Sequence, residues 1–138
     1  MAFLFPQKVL FKHCDPAGIV FYPRYFEMIN DCVEAFFDDD LGLPFARLHK
    51  IGGVPTAQIS TRFHAPSRHG DALILSLFVT RAGRSSLALA FRATCDGDIR
   101  FAATSTLVLV DENGRPTPWP DTIKQKLLDR EETPDHDT

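Results

Sequence analysis

The sequence predicts an α+β fold in which an antiparallel β-sheet of about five strands wraps around one long central helix. Apolar residues between Tyr22 and Phe37 recur at three- and four-residue intervals, the spacing of a helix with a broad buried face. Beyond Gly53 the apolar residues alternate with polar ones, which is typical of strands. The pair Asp96-Gly97 then predicts a tight hairpin turn, because both residues tolerate a positive φ.

The composition of the chain restricts its class. With 138 residues, 44% of them hydrophobic, we expect one compact domain over residues 1–130 and a disordered tail over residues 131–138. A net charge of -3 argues against sequence-independent binding of nucleic acid. No segment approaches the roughly 18 apolar residues that cross a bilayer. The composition therefore predicts a soluble, cytoplasmic protein without nucleic-acid or membrane partners.

The three cysteines, Cys14, Cys32 and Cys95, form an odd set without the paired spacing of a metal site. Reduced thiols are therefore expected, with no disulfide framework and no bound metal. No Gly-rich phosphate loop follows a strand and opens a helix, so the sequence indicates no cofactor either.

In the N-terminal half, a short first strand is expected from about Val9 to Lys12. The helix should begin near Tyr22 or Pro23, since proline suits the first helical turn, where its missing N–H costs nothing. We expect this helix to be mostly buried and to end by Gly42, because the aspartates just before Gly42 place negative charge where a helix C-terminus disfavours it.

The C-terminal half predicts four strands that form an antiparallel meander around the helix. The first follows Gly53, and the other three are expected over Ala72–Ala82, Ser86–Cys95 and Ile99–Val110. A last short helix is expected, with Asp121 as its capping residue. Such a sheet leaves exposed edge strands and residual apolar surface, so we expect the chain to form a homo-oligomer.

The segment Asp15-Pro16-Ala17-Gly18-Ile19-Val20-Phe21-Tyr22-Pro23 joins the first strand to the helix. It places a carboxylate and then a turn directly before the start of the helix. A carboxylate can attack a carbonyl carbon or activate water, and free N–H groups at a helix start can stabilise negative charge on a carbonyl oxygen. Taken alone, Asp15 could also be an ordinary turn residue that organises the helix entry.

This segment resembles the active-site motif of the 4-hydroxybenzoyl-CoA thioesterase family of hotdog-fold proteins. The resemblance extends through Gly42-Leu43-Pro44, Val54-Pro55 and Arg84-Ser85-Ser86, and leaves out only the tail after about Asp129. It implies a hotdog fold, an acyl-CoA substrate, and a homodimer or homotetramer with active sites at subunit interfaces. The reaction implied is the hydrolysis of a CoA thioester of an aromatic acid such as hydroxybenzoate, or of a short or medium acyl chain.

Carried over residue by residue, the resemblance makes Asp15 the catalytic carboxylate and the Tyr22 backbone N–H the group that polarises the thioester carbonyl. Gly18 would let the backbone pass close to the substrate. Whether Asp15 attacks the carbonyl or activates water stays open.

The resemblance also implies residues that bind the two ends of the substrate. Arg84, with Arg81 and Ser86 nearby, corresponds to the basic turn that binds the phosphates of CoA. Asn30 stands where the 4-hydroxybenzoyl enzymes place an aspartate against the substrate hydroxyl. The identity of the acyl group therefore stays open.

Two alternatives stay open beside an acyl-CoA thioesterase. An acyl-carrier-protein thioesterase would use the same chemistry and would need a basic docking surface, for example Arg62, Arg68 and Arg84. A non-catalytic module that binds acyl-CoA would need no carboxylate beside the thioester, and the presence of Asp15 argues against it.

Overall fold

The computed structural model of the protein describes residues 1–50, 52–132 and 134, and its architecture is the predicted α+β one. One five-stranded antiparallel sheet packs against one long helix. The strands are β1 Phe3–Lys8, β2 Thr56–Phe63, β3 Ala72–Ala82, β4 Ser86–Cys95 and β5 Asp98–Val108. The helices are α1 Pro23–Ala35, α2 Phe45–Leu48 and α3 Asp121–Arg130.

The order of strands across the sheet is β1-β3-β4-β5-β2. Only β3, β4 and β5 form a meander, so the predicted meander of four strands is wrong by one. Strand β2 pairs with β5, with Phe63 opposite Phe101. This pairing brings Phe63 and Phe101 together beneath Tyr25 of the long helix, whose ring lies 5.8 Å from Phe63 and 4.7 Å from Phe101 between centroids. Both β1 and β2 are edge strands.

The first strand lies earlier than the expected Val9–Lys12, which was wrong. Strand β1 covers Phe3–Lys8 and pairs with β3, and it includes Pro6 opposite Ile74. An edge strand tolerates proline because one side of its backbone needs no ladder partner. The chain then forms a short 3-10 turn at Phe11–His13.

Helix α1 begins at Pro23, as predicted, and its apolar face lies on the sheet. Its buried side chains are Tyr25, Met28, Ile29, Cys32 and Val33. The helix continues as one π-helical turn over Phe36–Asp40, where Phe36 and Phe37 are fully buried. The aspartates thus end the helix before Gly42, which has a positive φ of 66°.

Helix α3 begins at Asp121 itself, and Pro120 occupies the N-cap position without a side-chain cap. The expected cap by Asp121 was therefore wrong, since a residue inside the first turn cannot accept from that turn as a cap does. After α3, the Glu132 N–H donates to Val79 O at 2.8 Å. Residues 133 and 135–138 of the expected tail lie outside the described residues. None of the described helices is both long and apolar enough to cross a bilayer.

Candidate active site

Asp15 lies at the tip of a small hairpin that leads into α1. The Gly18 N–H donates to Asp15 O at 2.9 Å, and the Asp15 N–H donates to Ile19 O at 2.9 Å. The carboxylate oxygen Oδ1 accepts from the Ala17 N–H at 2.9 Å. Within the described residues no hydrogen bond is made to Oδ2. Asp15 therefore orders its own turn with one oxygen and keeps the other available.

Gly18 has a φ of 83°, a left-handed conformation that glycine adopts without strain. A Cβ built on Gly18 would meet no atom of the chain within 4 Å. The turn itself thus requires glycine, whether or not a substrate passes there. Gly18 and Asp15 border one cleft of about 500 Å³, together with Phe11, Cys14, Pro16 and His69.

Tyr22 occupies the N-cap position of α1, and no side chain caps this helix end. Proline at position 23 has no N–H to offer, and the next two amides are used: Arg24 N–H donates to Phe21 O at 2.8 Å and Tyr25 N–H to Tyr22 O at 3.1 Å. Among the hydrogen bonds of the described residues, none uses the Tyr22 N–H. The helix therefore begins with one free donor at its positive end.

The loop between β2 and β3 supports this hairpin from behind. The Val20 N–H donates to Ser67 O at 2.9 Å. Arg100 Nη1 donates to Asp71 Oδ2 at 2.7 Å and to Ser67 Oγ at 3.2 Å, which ties the loop to β5. The Arg68 N–H and the Arg100 guanidinium lower the pKa of Asp71 because both donate to its ionised form. Hydrogen bonds of the loop between β2 and β3 thus hold the hairpin in place.

Asn30 lies on α1 beside a cavity of about 720 Å³ between α1, α2 and the β2 edge. Most of the lining is apolar, including Phe26, Ile29, Val33, Ile59 and Leu107. Asn30 itself is exposed, and Ser105, also on the wall, is 6% exposed. The cavity falls within the range of volumes typical of small-ligand sites.

Arg84 is exposed in the turn between β3 and β4, with Arg81 also exposed at the end of β3. The turn is held by its backbone: Trp119 N–H donates to Arg84 O, and Trp119 Nε1 donates to Ser86 O, both at 3.0 Å. Lys124 Nζ donates to Ala82 O at 3.1 Å and also to Gly83 O. The contact of Lys124 with this turn could not be predicted from the sequence, where its only signal is a cation on the last helix.

Within one chain these residues are not brought into one pocket. Tyr22 borders a third cavity of about 290 Å³ with Tyr25 and Phe63, separate from the Asp15 cleft and from the Asn30 cavity. The Arg84 turn lies at the opposite end of β3 from Asp15. Since β3 has 11 residues, its two ends are separated by roughly 33 Å.

His49 is a second residue that the sequence analysis did not assign to the site. It lies at the end of α2 and lines the same cavity as Asn30. The stretch from Leu43 to Gly53 carries a mixed pattern of residues, and no periodicity there indicated that a side chain would face a cavity. Its position depends on a tertiary contact of α2, in which Phe45 packs edge-on against Phe37 of the π-helical turn after α1.

The profile of the thioesterase-like superfamily matches residues 9–127, which includes the Asp15 hairpin, α1 and all strands but β1. The chain belongs to the thioesterase-like superfamily. This family confirms the predicted reaction class, a thioester hydrolase, and the resemblance to hotdog-fold thioesterases.

Relatives and solved structures agree with this assignment. A 1,4-dihydroxy-2-naphthoyl-CoA hydrolase from Synechocystis is 26% identical over 108 residues, which cover 77% of this chain and 73% of that protein. A crystal structure of a 1,4-dihydroxy-2-naphthoyl-CoA thioesterase from Synechocystis superposes with a TM-score of 0.86 at 19% identity, over 94% of this chain and 97% of the other.

Two further structures share the fold. A Staphylococcus aureus protein in complex with CoA has a TM-score of 0.89 at 16% identity, over 98% of this chain and 89% of the other. A gentisyl-coenzyme A thioesterase has a TM-score of 0.82 at 24% identity, over 88% of this chain and 99% of the other. The hotdog fold predicted by the resemblance is therefore confirmed.

Proposed function

We propose that this thioester hydrolase acts on the CoA thioester of an aromatic acid, with Asp15 as the catalytic carboxylate and the Tyr22 N–H as the oxyanion donor. The observation that carries the proposal is the hairpin that joins a carboxylate with a free oxygen to a helix start with a free amide. Hydrolysis consumes one water and yields the free acid and the CoA thiol.

The two groups supply what the reaction needs. A tetrahedral intermediate places negative charge on the former carbonyl oxygen, and the Tyr22 N–H at the positive end of α1 can donate to it. The Asp15 carboxylate either attacks the carbonyl carbon or takes a proton from water, and both routes use the same free oxygen. Removing one donor of this kind typically costs about 2.7–4 kcal/mol of barrier.

The acyl group is assigned from the cavity beside Asn30. Its apolar walls and its volume of about 720 Å³ suit a planar aromatic ring. The relative with the 1,4-dihydroxy-2-naphthoyl-CoA name and the gentisyl-coenzyme A thioesterase both act on aromatic thioesters, which supports the same class here. The CoA-bound neighbour supports CoA as the carrier. We assign the phosphate contact to the Arg84 turn because Arg84 is exposed there and a guanidinium matches phosphate oxygens.

We also propose that two copies of the chain build each site. Strand β2 is an edge strand, and the large side chains Ile59 and Phe63 on it are 40% and 48% exposed. Antiparallel pairing of β2 with β2 of a second copy would place the Tyr22 end of one chain beside the Asn30 cavity and Arg84 end of the other. A two-fold dimer would thereby join groups that one chain keeps apart.

The test is thiol release from a panel of benzoyl, hydroxybenzoyl, naphthoyl and short aliphatic CoA esters, measured with the wild type and Asp15→Asn. The amide retains an acceptor for the Ala17 N–H, so folding should be preserved while kcat falls by about 10²–10⁴-fold. Asp98→Asn, an exposed carboxylate on β5 at some distance, is the matched control and should keep wild-type kcat.

Three outcomes would contradict the proposal. If no ester in the panel releases thiol, the protein does not hydrolyse these substrates. If Asp15→Asn keeps the wild-type kcat, Asp15 takes no part in the reaction. A preference for short aliphatic esters over all aromatic ones would leave the reaction in place and overturn the substrate class.

A further inference from the structure

We propose that His49 determines the specificity of the acyl cavity, by accepting a hydrogen bond from a hydroxyl group on the aromatic ring of the substrate. This inference rests on the proposed function, since it assigns a recognition residue to the same cavity. His49 lies outside the Asp15–Pro23 motif.

The hydrogen bond of the imidazole decides which nitrogen is free. His49 Nδ1 lies 2.6 Å from the backbone oxygen Phe45 O. A carbonyl oxygen can only accept, so Nδ1 carries the hydrogen and donates. In the neutral ring the other nitrogen, Nε2, is then an acceptor without a proton. The local helix thus fixes the tautomer of His49.

The orientation of the ring is also fixed. The Phe45 ring meets the His49 ring edge-on, with centroids 5.8 Å apart, and both side chains line the cavity. Because Nδ1 is turned back to its own helix, the Nε2 edge of the ring is the edge left for a ligand. Phe45 in turn packs edge-on against buried Phe37, at 5.5 Å, which anchors the pair to the core.

The cavity has few polar groups, and they differ in whether they can donate or accept a hydrogen bond. His49 and Asn30 are both exposed, Thr56 and Ser105 add two hydroxyl groups, and most of the remaining lining is apolar. A hydroxyl both donates and accepts. A carboxamide such as Asn30 both donates and accepts, so it can satisfy a hydroxyl or a carbonyl alike. The His49 Nε2 only accepts in the neutral ring. It therefore favours a group that donates, and an aromatic hydroxyl is the donor that a ring in this cavity can carry.

A site of this kind discriminates through the cost of leaving its acceptor unpaired. His49 is exposed, so a ring without a hydroxyl that fills the cavity displaces water from the Nε2 edge and offers no donor in its place. Sites built to hydrogen-bond a substrate hydroxyl reject analogues that lack it more strongly than apolar pockets reject extra methylene groups. We therefore expect the best of the 2-, 3- and 4-hydroxybenzoyl-CoA esters to exceed benzoyl-CoA by about tenfold or more in kcat/KM.

Two substitutions at position 49 test the role. His49→Phe keeps a ring and removes the acceptor, and it should reduce the ratio of kcat/KM between the hydroxylated and plain esters by about tenfold. His49→Gln places an amide oxygen near the position of Nε2 and should restore the ratio to within about threefold of wild type. Ala46→Ser, on the same helix and outside the cavity lining, is the matched control and should keep the wild-type ratio.

Binding of two thioether analogues, phenacyl-CoA and the tightest-binding isomer among 2-, 3- and 4-hydroxyphenacyl-CoA, provides a readout that needs no turnover. Titration calorimetry should give the tighter Kd for the hydroxylated analogue with wild type and nearly equal values with His49→Phe. Equal Kd values with wild type, or an unchanged difference in His49→Phe, would overturn the role of His49. If the analogues behave as expected and no ester is hydrolysed, the proposed function fails and the recognition role stands.

Discussion

At the scale of single residues, His13 shows how the chain controls a buried titratable group beneath the Asp15 hairpin. The side chain is 5% exposed, and Nδ1 accepts from the Leu10 N–H at 2.8 Å. Burial lowers the pKa of His13 below its ordinary value, and the nearby charges of Lys12 and Arg24 lower it further. The fold therefore holds His13 neutral, while the unfolded chain binds a proton more readily.

This difference predicts a pH dependence of stability. Because the unfolded state binds more protons below about pH 6.5, the free energy of unfolding should fall from there down to the lowered pKa of His13, by at most about 1.4 kcal/mol per pH unit. His13→Asn keeps an acceptor for the Leu10 N–H and cannot titrate, so it should flatten this slope. Urea unfolding between pH 7.5 and pH 5 measures it.

The control for His13 is His64→Asn, which changes an exposed histidine. It should retain the wild-type slope over the same range. If His13→Asn keeps the slope as well, then His13 does not cause the loss of stability on acidification.

At the scale of elements, the loop from Gly52 to Thr56 forms one wall of the acyl cavity and is pinned to the strand region after β5. Gly53 N–H donates to Val110 O at 3.1 Å, and Val110 N–H donates to Gly53 O at 2.9 Å. A Cβ on Gly52 would lie 1.9 Å from Val110 O, a backbone atom that cannot rotate away. Close approach of two backbones thus requires glycine at position 52.

Gly52→Ala is therefore expected to lower the free energy of unfolding by about 1–3 kcal/mol, because the overpacked loop must move away from Val110. Gly53→Ala is the matched control, since its nearest neighbour would be a side-chain carbon at 4.0 Å. It should cost less than about 1 kcal/mol. Equal losses for both variants in chemical denaturation would show that the contact with Val110 is not the cause.

Element boundaries could be predicted well wherever one face of an element is buried. The observed ranges of β3 and β4, Ala72–Ala82 and Ser86–Cys95, are those predicted from the turn residues that flank them and, for β4, from alternation. Asp96 and Gly97 do adopt positive φ values of 50° and 86°. β1 was missed because Pro6 reads as an interruption, and only its place at the sheet edge makes it acceptable.

At the scale of the whole molecule, the proposed dimer has a direct test in complementation between two inactive variants. Asp15→Asn disables the chemistry, and Asn30→Trp fills the acyl cavity from an exposed position on α1. If one site uses Asp15 of one copy and Asn30 of the other, each mixed dimer contains one intact site. Random exchange of subunits should then restore about a quarter of wild-type activity.

Sedimentation velocity should also give at least twice the 15.5 kDa mass of the chain. A dimer that recovers no activity on mixing would place Asp15 and Asn30 of the same copy in one site. A monomer at micromolar concentration would contradict the proposed assembly altogether.

The features that follow from the sequence are local: the period of its apolar residues, the turn formed by Asp15 to Gly18, and a helix start whose proline removes a donor. These depend on neighbours within a few residues, so the chain carries them without reference to the fold. The tertiary structure alone decided that β2 pairs with β5, that α2 turns His49 toward the cavity of Asn30, and that the Arg84 turn lies far from Asp15. Contacts between distant segments depend on which surfaces bury each other, and no local pattern encodes that choice.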